Sequence, residues 1–177
     1  MRLDVLLCAV GGQNVQPYLD FFAAYAINEK VSLHVHTEKG FSPERVSERY
    51  SIRLGDGFGD IPVGKAQAVI ALEQLEGLRH RHFVHEDGAM IMSEKRIIPI
   101  AVLSHTAKYP ENCFQKCIND CFVVYAFSEE NTHAYACLLA LRATGEDKEK
   151  LRRFGQVSGL YTTEEVDRVF SLKSVKA

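Results

Sequence analysis

The residues most suited to chemistry near the start of this chain are Gly11-Gly12-Gln13-Asn14, a turn between an apolar run, Leu3 to Val10, and a helical pattern. Backbone amides in such a turn, at a helix N-terminus, can hold a phosphate. A dinucleotide fingerprint needs three small residues for the tight turn, the close pyrophosphate approach and the helix–strand packing. Those positions hold Ala9, Gly11 and Asn14, so only the middle glycine is kept. Pro17 removes one early backbone donor. Asn14 is a natural N-cap, able to satisfy a helix N–H with its own side chain. Glu38 sits where a ribose-binding acid would, but a lone acid at a strand end is common. The turn reads as a strand-to-helix handover rather than a phosphate cradle.

Cys113, Cys117 and Cys121 recur every four residues and would share a stripe on one continuous helix. Iron–sulfur ligands are usually more tightly spaced, around a loop that wraps the cluster. A helix ending near Asn119-Asp120 breaks the stripe, so buried, inert thiols are expected. His34 and His36 face one side of a strand, a chelating arrangement with no carboxylate or thiol pair spaced to complete a tetrahedron. His80, His82 and His85 lie beside Arg79 and Arg81 and read as a solvated, cationic helix end. Ser104 and His105 are neighbours in sequence, which rarely gives triad geometry. Arg49 and Arg53 share the polar side of one strand and could receive a carboxylate, though a solvated face is the simpler reading. No residue is assigned as catalytic, and none as a metal ligand.

A formal net charge of −2 gives no basic stripe for nucleic acid. No apolar run approaches the roughly 18 residues of a membrane span. The start, Met1-Arg2-Leu3-Asp4, lacks the pattern of a signal peptide. Five cysteines are an odd number without an export signal, so reduced thiols in the cytoplasm are expected.

The elements that must position these residues alternate. Leu3 to Val10 reads as a buried strand. Val15, Leu19, Phe22 and Ala26 mark a helix, and Val31 to His36 a second strand, together a βαβ unit. From Val46 to Leu54 the period becomes two, predicting a half-solvated strand ended by an Asp56-Gly57 hairpin turn. Ala66 to Leu72 is a buried strand, Glu73 to Phe83 a helix and Ala89 to Met92 a strand. Ile97 to Val102 is expected to be extended, with Pro99 placing it at an edge. Glu111 to Asp120 is helical and Cys121 to Phe127 a strand. Ser128 is expected to cap a helix to about Arg142, with Glu129 and Glu130 in its first turn and Gly145 ending it. Thr162-Thr163-Glu164-Glu165 fits a capping box on the second of two final helices. The pattern predicts one domain, 1–177, of α/β class. It would be a three-layer α/β/α, Rossmann-like, open and mostly parallel sheet with an antiparallel hairpin element.

The order of these segments resembles the gamma-type domain of 2-oxoacid:ferredoxin oxidoreductases, and within that group the beta subunit of indolepyruvate ferredoxin oxidoreductase. The family's Gly-Val-Gly-Gly-Gln-Gly-Val stands here as residues 9–15, Ala-Val-Gly-Gly-Gln-Asn-Val. Its Ala-Asp-Val-Leu-Leu-Ala-Leu-Glu strand and Glu-Ala-Leu-Arg helix start are matched by residues 66–73 and 76–79. A family segment, Ile-Pro-Pro-Val-Ser-Val-Leu-Ser-Gly-Lys-Ala-Lys-Tyr-Pro, is matched by Ile98 to Pro110. The family's His-Gly-Met-Ser-Gln-Arg-Gly-Gly loop is altered: Lys39 to Val46 keeps Gly40 and Ser42, but Glu44 replaces the arginine and Pro43 enters.

The resemblance implies an accessory subunit that packs against a large partner. The partner would carry thiamine diphosphate and iron–sulfur clusters and perform oxidative decarboxylation of an aryl 2-oxoacid with coenzyme A, passing electrons to ferredoxin. This chain would bind no cofactor itself. Gly11, Gly12, Gln13, Asn14, Gly40 and Ser42 would form loops at the edge of the active site. The competing reading is a stand-alone Rossmann-like domain that binds a small molecule or regulates without redox activity, as a monomer or homodimer.

Overall fold

The computed structural model describes residues 2–40, 46–121 and 123–174. Ser42, Pro43 and Glu44 lie outside them. The elements run β1 (Leu3–Val10), α1 (Gln16–Glu29), β2 (Leu33–Lys39), β3 (Ser47–Leu54), β4 (Ala66–Ala71), α2 (Gln74–His80), β5 (Val84–Ser93), α3 (Ile100–Leu103), α4 (Cys113–Asp120), β6 (Val123–Phe127), α5 (His133–Ala143), α6 (Lys148–Ser158) and α7 (Thr163–Ser171). A 3-10 turn, Arg81–Phe83, extends α2.

The six strands form one sheet in the order β2-β3-β1-β4-β5-β6. β1, β4, β5 and β6 pair in parallel, while β3 pairs antiparallel with both β1 and β2. This is the mostly parallel α/β sheet with an antiparallel element that the sequence pattern implies. β1 and β2 do run parallel on either side of α1, but β3 is inserted between them, so the βαβ unit is split.

β1 is apolar on both faces because both are covered. Leu3, Val5, Leu7 and Ala9 meet Phe21, Phe22 and Tyr25 of α1 and the apolar sides of α5, α6 and α7. Leu6 and Cys8 face the other layer with Met90, Met92, Phe83, Cys117 and Cys121, packed by Leu78 of α2 and Ile118 of α4. Burying an aliphatic side chain of this size contributes about 1.5–3 kcal/mol, so the two layers supply most of the driving force.

The polar side of β3 departs from expectation. It is covered by the connection 55–65 rather than by water, and Ser51 and Arg53 are buried. Arg53 lies opposite Asp4 across the β1–β3 pair. Its Nε donates to Asp4 Oδ1 at 2.9 Å and its Nη2 to Asp4 Oδ2 at 3.2 Å. Nη1 donates to the carbonyls of Phe58 and Asp60 at 2.7 and 3.0 Å. A connection laid over a sheet must find donors for its carbonyls, and Arg53 supplies them. Gly57 serves close approach, not a hairpin: a Cβ there would lie 2.6 Å from Arg53 Nε. The hairpin joins β2 to β3 instead, at the opposite end of β3, with Leu33 opposite Leu54 and Lys39 opposite Glu48.

Two further boundaries move. Pro99 ends the extended stretch early, and its carbonyl accepts from Val102 N and Leu103 N as α3 begins. Ser128 does not cap α5. Its N–H donates to Asn131 Oδ1 at 2.9 Å, closing a turn that holds Glu129 and Glu130, and Thr132 is the cap, accepting from Tyr135 N at 3.2 Å. The capping box of α7 forms between Thr162 and Glu165 as read.

Removing one member of a buried ion pair strands the other, at a cost of about 3–5 kcal/mol. Arg53→Met is expected to lower unfolding free energy by about 3 kcal/mol in denaturant titration, and the double variant with Asp4→Asn to recover part of it. A loss under about 1 kcal/mol in the single variant would contradict this role.

Candidate functional site

The C-terminal ends of β1, β4, β5 and β6 converge on one edge of the sheet. Here α1 leaves β1 onto one face and α2 leaves β4 onto the other, a topological switch point where open α/β sheets hold ligands. The residues after each strand end line a cavity of about 510 Å³: Gly11 to Asn14 after β1, Leu72 after β4, Ser93 and Lys95 at the end of β5, and Phe127 to Glu129 after β6.

Gln13 sets the near wall. Its Oε1 accepts from Val10 N at 2.8 Å, and its Nε2 donates to Leu72 O at 3.0 Å, tying the last residue of β1 to the first after β4. Gly12 has φ +94°, with no atom within 4 Å of where a Cβ would sit, so backbone conformation demands the glycine rather than space. Asn14 Oδ1 accepts from Gln16 N at 3.3 Å, so it serves an early helix N–H as expected. Val15, however, occupies the cap position, and Pro17 stands in the first turn. Gly11 N donates to Val46 O at 2.7 Å and Gly40 N to Ser47 O at 3.4 Å. The base of the β2–β3 hairpin therefore rests on the glycine turn, and Gly11, Gly12, Gln13, Asn14 and Gly40 are gathered at one end of β1 and β3.

On the far wall, His133 at the start of α5 meets the Tyr18 ring edge-on, with centroids 5.1 Å apart. Burial pushes the Tyr18 hydroxyl above its ordinary range. Lys95 Nζ and Glu129 Oε1 pair at 2.5 Å. The walls offer amide, hydroxyl and ammonium groups but no paired nucleophile and base among the described residues.

Two acids that sequence reasoning passed over organise the rim. Glu73, fully buried, caps α2 by accepting from Leu75 N and Glu76 N at 2.7 and 3.0 Å. Its other oxygen accepts from Ile97 N at 3.2 Å and Tyr109 Oη at 2.5 Å. Glu76 is also buried, with Ser47 Oγ donating to it at 2.5 Å and Arg79 Nη1 at 2.6 Å. Burial raises its carboxyl above the usual range despite these donors. His80 Nδ1 lies 3.0 Å from the Glu76 backbone carbonyl and 3.6 Å from its carboxylate, and burial outweighs the bond to the carbonyl and lowers the imidazole below its ordinary value. His80 is thus not part of a solvated helix end. Only one signal marked Glu73 in the sequence: an acid at the handover from a buried strand to a helix.

The remaining candidates separate. Arg49 does receive carboxylates, from Glu38 and Asp60 of its own chain, and stacks over Phe83. The five cysteines are buried. Cys8 and Cys137 belong to opposite core layers, and Cys121 lies just past the end of α4. Burial raises the Cys113 thiol and pushes that of Cys117 to about 12, so both are protonated at neutral pH. No three sulfurs among the described residues converge on one point, so these residues do not fit an iron–sulfur cluster. His34 meets Phe58 edge-on, and His85, Glu86 and Asp87 form an exposed group at the far end of β5.

In fold, the molecule is an α/β protein of the kind seen in the pyruvate oxidoreductase subunit PORC of Thermotoga maritima, with a TM-score of 0.54, 12% identity and coverage of 95% of this chain and 90% of that one. In sequence it is similar to the indolepyruvate oxidoreductase subunit IorB of Archaeoglobus fulgidus, at 33% identity over 112 residues. The IorB of Methanothermobacter thermautotrophicus is 26% identical over 111 residues. These matches cover 63% and 62% of this chain but 56% and 57% of the relatives, so the chain matches little more than half of their length. No family model matches it. No helix among the described residues is long and apolar enough to cross a membrane.

Tyr109→Phe removes one of the two hydrogen bonds that tie residues 97–109 to Glu73. It is expected to cost about 1 kcal/mol in denaturant titration and to speed limited proteolysis within that segment. Unchanged cleavage would show that Glu73 does not hold it.

Proposed function

We propose that this chain, across 1–177, is the accessory gamma-type subunit of a cytoplasmic 2-oxoacid:ferredoxin oxidoreductase acting on an aryl 2-oxoacid such as indolepyruvate. The observation that carries the reading is the polar cavity at the switch point, walled by the Gly11–Asn14 turn, in a chain similar to IorB proteins. A large partner subunit supplies the chemistry. Thiamine diphosphate held there would supply carbanion stabilisation, with coenzyme A as the acyl acceptor and iron–sulfur clusters as the electron carriers toward ferredoxin.

This chain's part is positional. Gln13 fixes the ends of β1 and β4. Gly12 gives the turn a conformation that β-branched residues resist. The Gly11–Val46 bond holds the base of the hairpin, with Gly40, beside that turn. These loops border the partner's site and limit water there. The cavity is formed by this chain alone, which also favours a second reading, a stand-alone domain that binds a small polar molecule.

Reconstitution separates the two. With the cognate large subunit, thiamine diphosphate and coenzyme A, dye reduction by arylpyruvates is expected only when both chains are present. Gly12→Val should lower the rate by about tenfold or more while the purified variant stays folded. Full activity of the large subunit alone, or recovery of this chain solely as a homodimer that ignores the large subunit, would overturn the subunit reading.

A further inference from the structure

Between the strand end at Ser93 and the start of α4 the chain makes an excursion that contributes little to either core layer. Its base is a single carboxylate oxygen: Glu73 Oε1 accepts from Ile97 N at one end and from Tyr109 Oη at the other. Inside this closed strap lies α3, a helix of four residues that buries none of them. Ile100 and Leu103 are 52% and 54% exposed.

Such a short helix does not hold itself in water, so its order must come from local bonds. The Ala101 carbonyl accepts from Thr106 N and Ala107 N, both at 2.9 Å, and from Thr106 Oγ1 at 3.0 Å. His105 takes φ +58°, a left-handed conformation unusual for a residue with a side chain. The Ser104 hydroxyl donates to the same Ala101 carbonyl at 3.2 Å, so a buried acid, a backbone strain and a carbonyl with four donors hold two aliphatic side chains out in solvent. Binding elements are preorganised in this way, because order in the free state removes an entropic cost of association.

The strap's charge indicates the partner. From 95 to 110 the ionisable side chains before the tyrosine are Lys95, Arg96, His105 and Lys108, with no acid among them. Lys95 is already paired with Glu129 and Arg96 lies over the Tyr109 ring at the strap's base, while Lys108 is an exposed cation beside α3. A second copy of this chain is a poor occupant, since the strap residues 97–109 contain no acid that a copied strap could offer to Lys108. Ile97 and Lys95 line the cavity, so whatever covers the strap also reaches the cavity mouth.

We propose that residues 97–109 form a preorganised docking strap, with Ile100 and Leu103 seated in an apolar depression rimmed by acidic residues on the large catalytic subunit, beside the cavity that this contact closes. The proposal rests on the subunit reading above.

The test measures binding of the full chain to the cognate large subunit by calorimetry or surface capture. Ile100→Glu and Leu103→Glu are each expected to weaken binding by tenfold or more, with thermal unfolding unchanged because both side chains already face solvent. Lys108→Glu should weaken binding and flatten its salt dependence. Val157→Glu, at an exposed apolar residue on α6, should bind like the unmodified chain. If the unmodified chain binds but the strap variants bind equally well, the strap proposal is wrong and the subunit reading stands. If the strap variants abolish a homodimer while leaving large-subunit binding intact, the strap is a self-association surface and the proposal is likewise overturned. If the unmodified chain does not bind the large subunit at all, the subunit reading fails and takes this proposal with it.

Discussion

A carboxylate taken out of water must find donors for its lone pairs, and Glu73 finds four. That one constraint joins parts of the fold that sequence separates. One oxygen starts α2 as it leaves β4. The other fixes where the chain goes after β5, bringing Ile97 and Tyr109 together, and so decides that the residues between them stand outside the core. The four bonds come from three backbone amides and one phenol, and among the described residues no cation forms an ion pair with the acid. Loss of the carboxylate would therefore leave several donors unmet, each at a cost of about 1–3 kcal/mol. The sheet edge has its shape because this acid is there.

A second buried carboxylate works one turn further along α2. Glu76 reaches across to Ser47 at the start of β3, and the neighbouring Val46 carbonyl accepts from Gly11 N. Glu73 thus fixes the rim on the strap side and Glu76 on the hairpin side, with Gln13 bracing the strand ends between them. The glycine turn is held from three directions, and its amides are partly used within the protein. That accounts for a turn whose two glycines form a wall of the cavity.

The strongly local features were legible in the sequence. β1 and β4 read as buried strands because apolar runs broken by a single polar residue, Asp4 and Gln67, need two covered faces. The α7 capping box and the Gly11–Asn14 handover declared themselves through side chains that act on their own backbone. What failed to show were features set by distant neighbours. Ser51 and Arg53 alternate with apolar residues just as a solvated face would, and only the folding of residues 55–65 across them makes them buried. Ser128 and Thr132 are both good caps, and the choice between them was made by Asn131 closing the earlier turn. Glu76 looks like an ordinary surface acid on a helix until Ser47 and Arg79 are placed beside it. The segment 98–110 was recognisable by resemblance, but its exposure depends on the clamp at Glu73.

In the proposed assembly the cavity edge and the strap form one surface, completed by a larger subunit. Hydrogen exchange on this chain, free and bound to that subunit, reads it most directly. Slowed exchange is expected in residues 97–109 and in the Gly11–Asn14 turn on binding, with the open edge of β2 unchanged. Protection confined to β2, or to α6 and α7, with the strap and turn exchanging as fast as in the free chain, would contradict it.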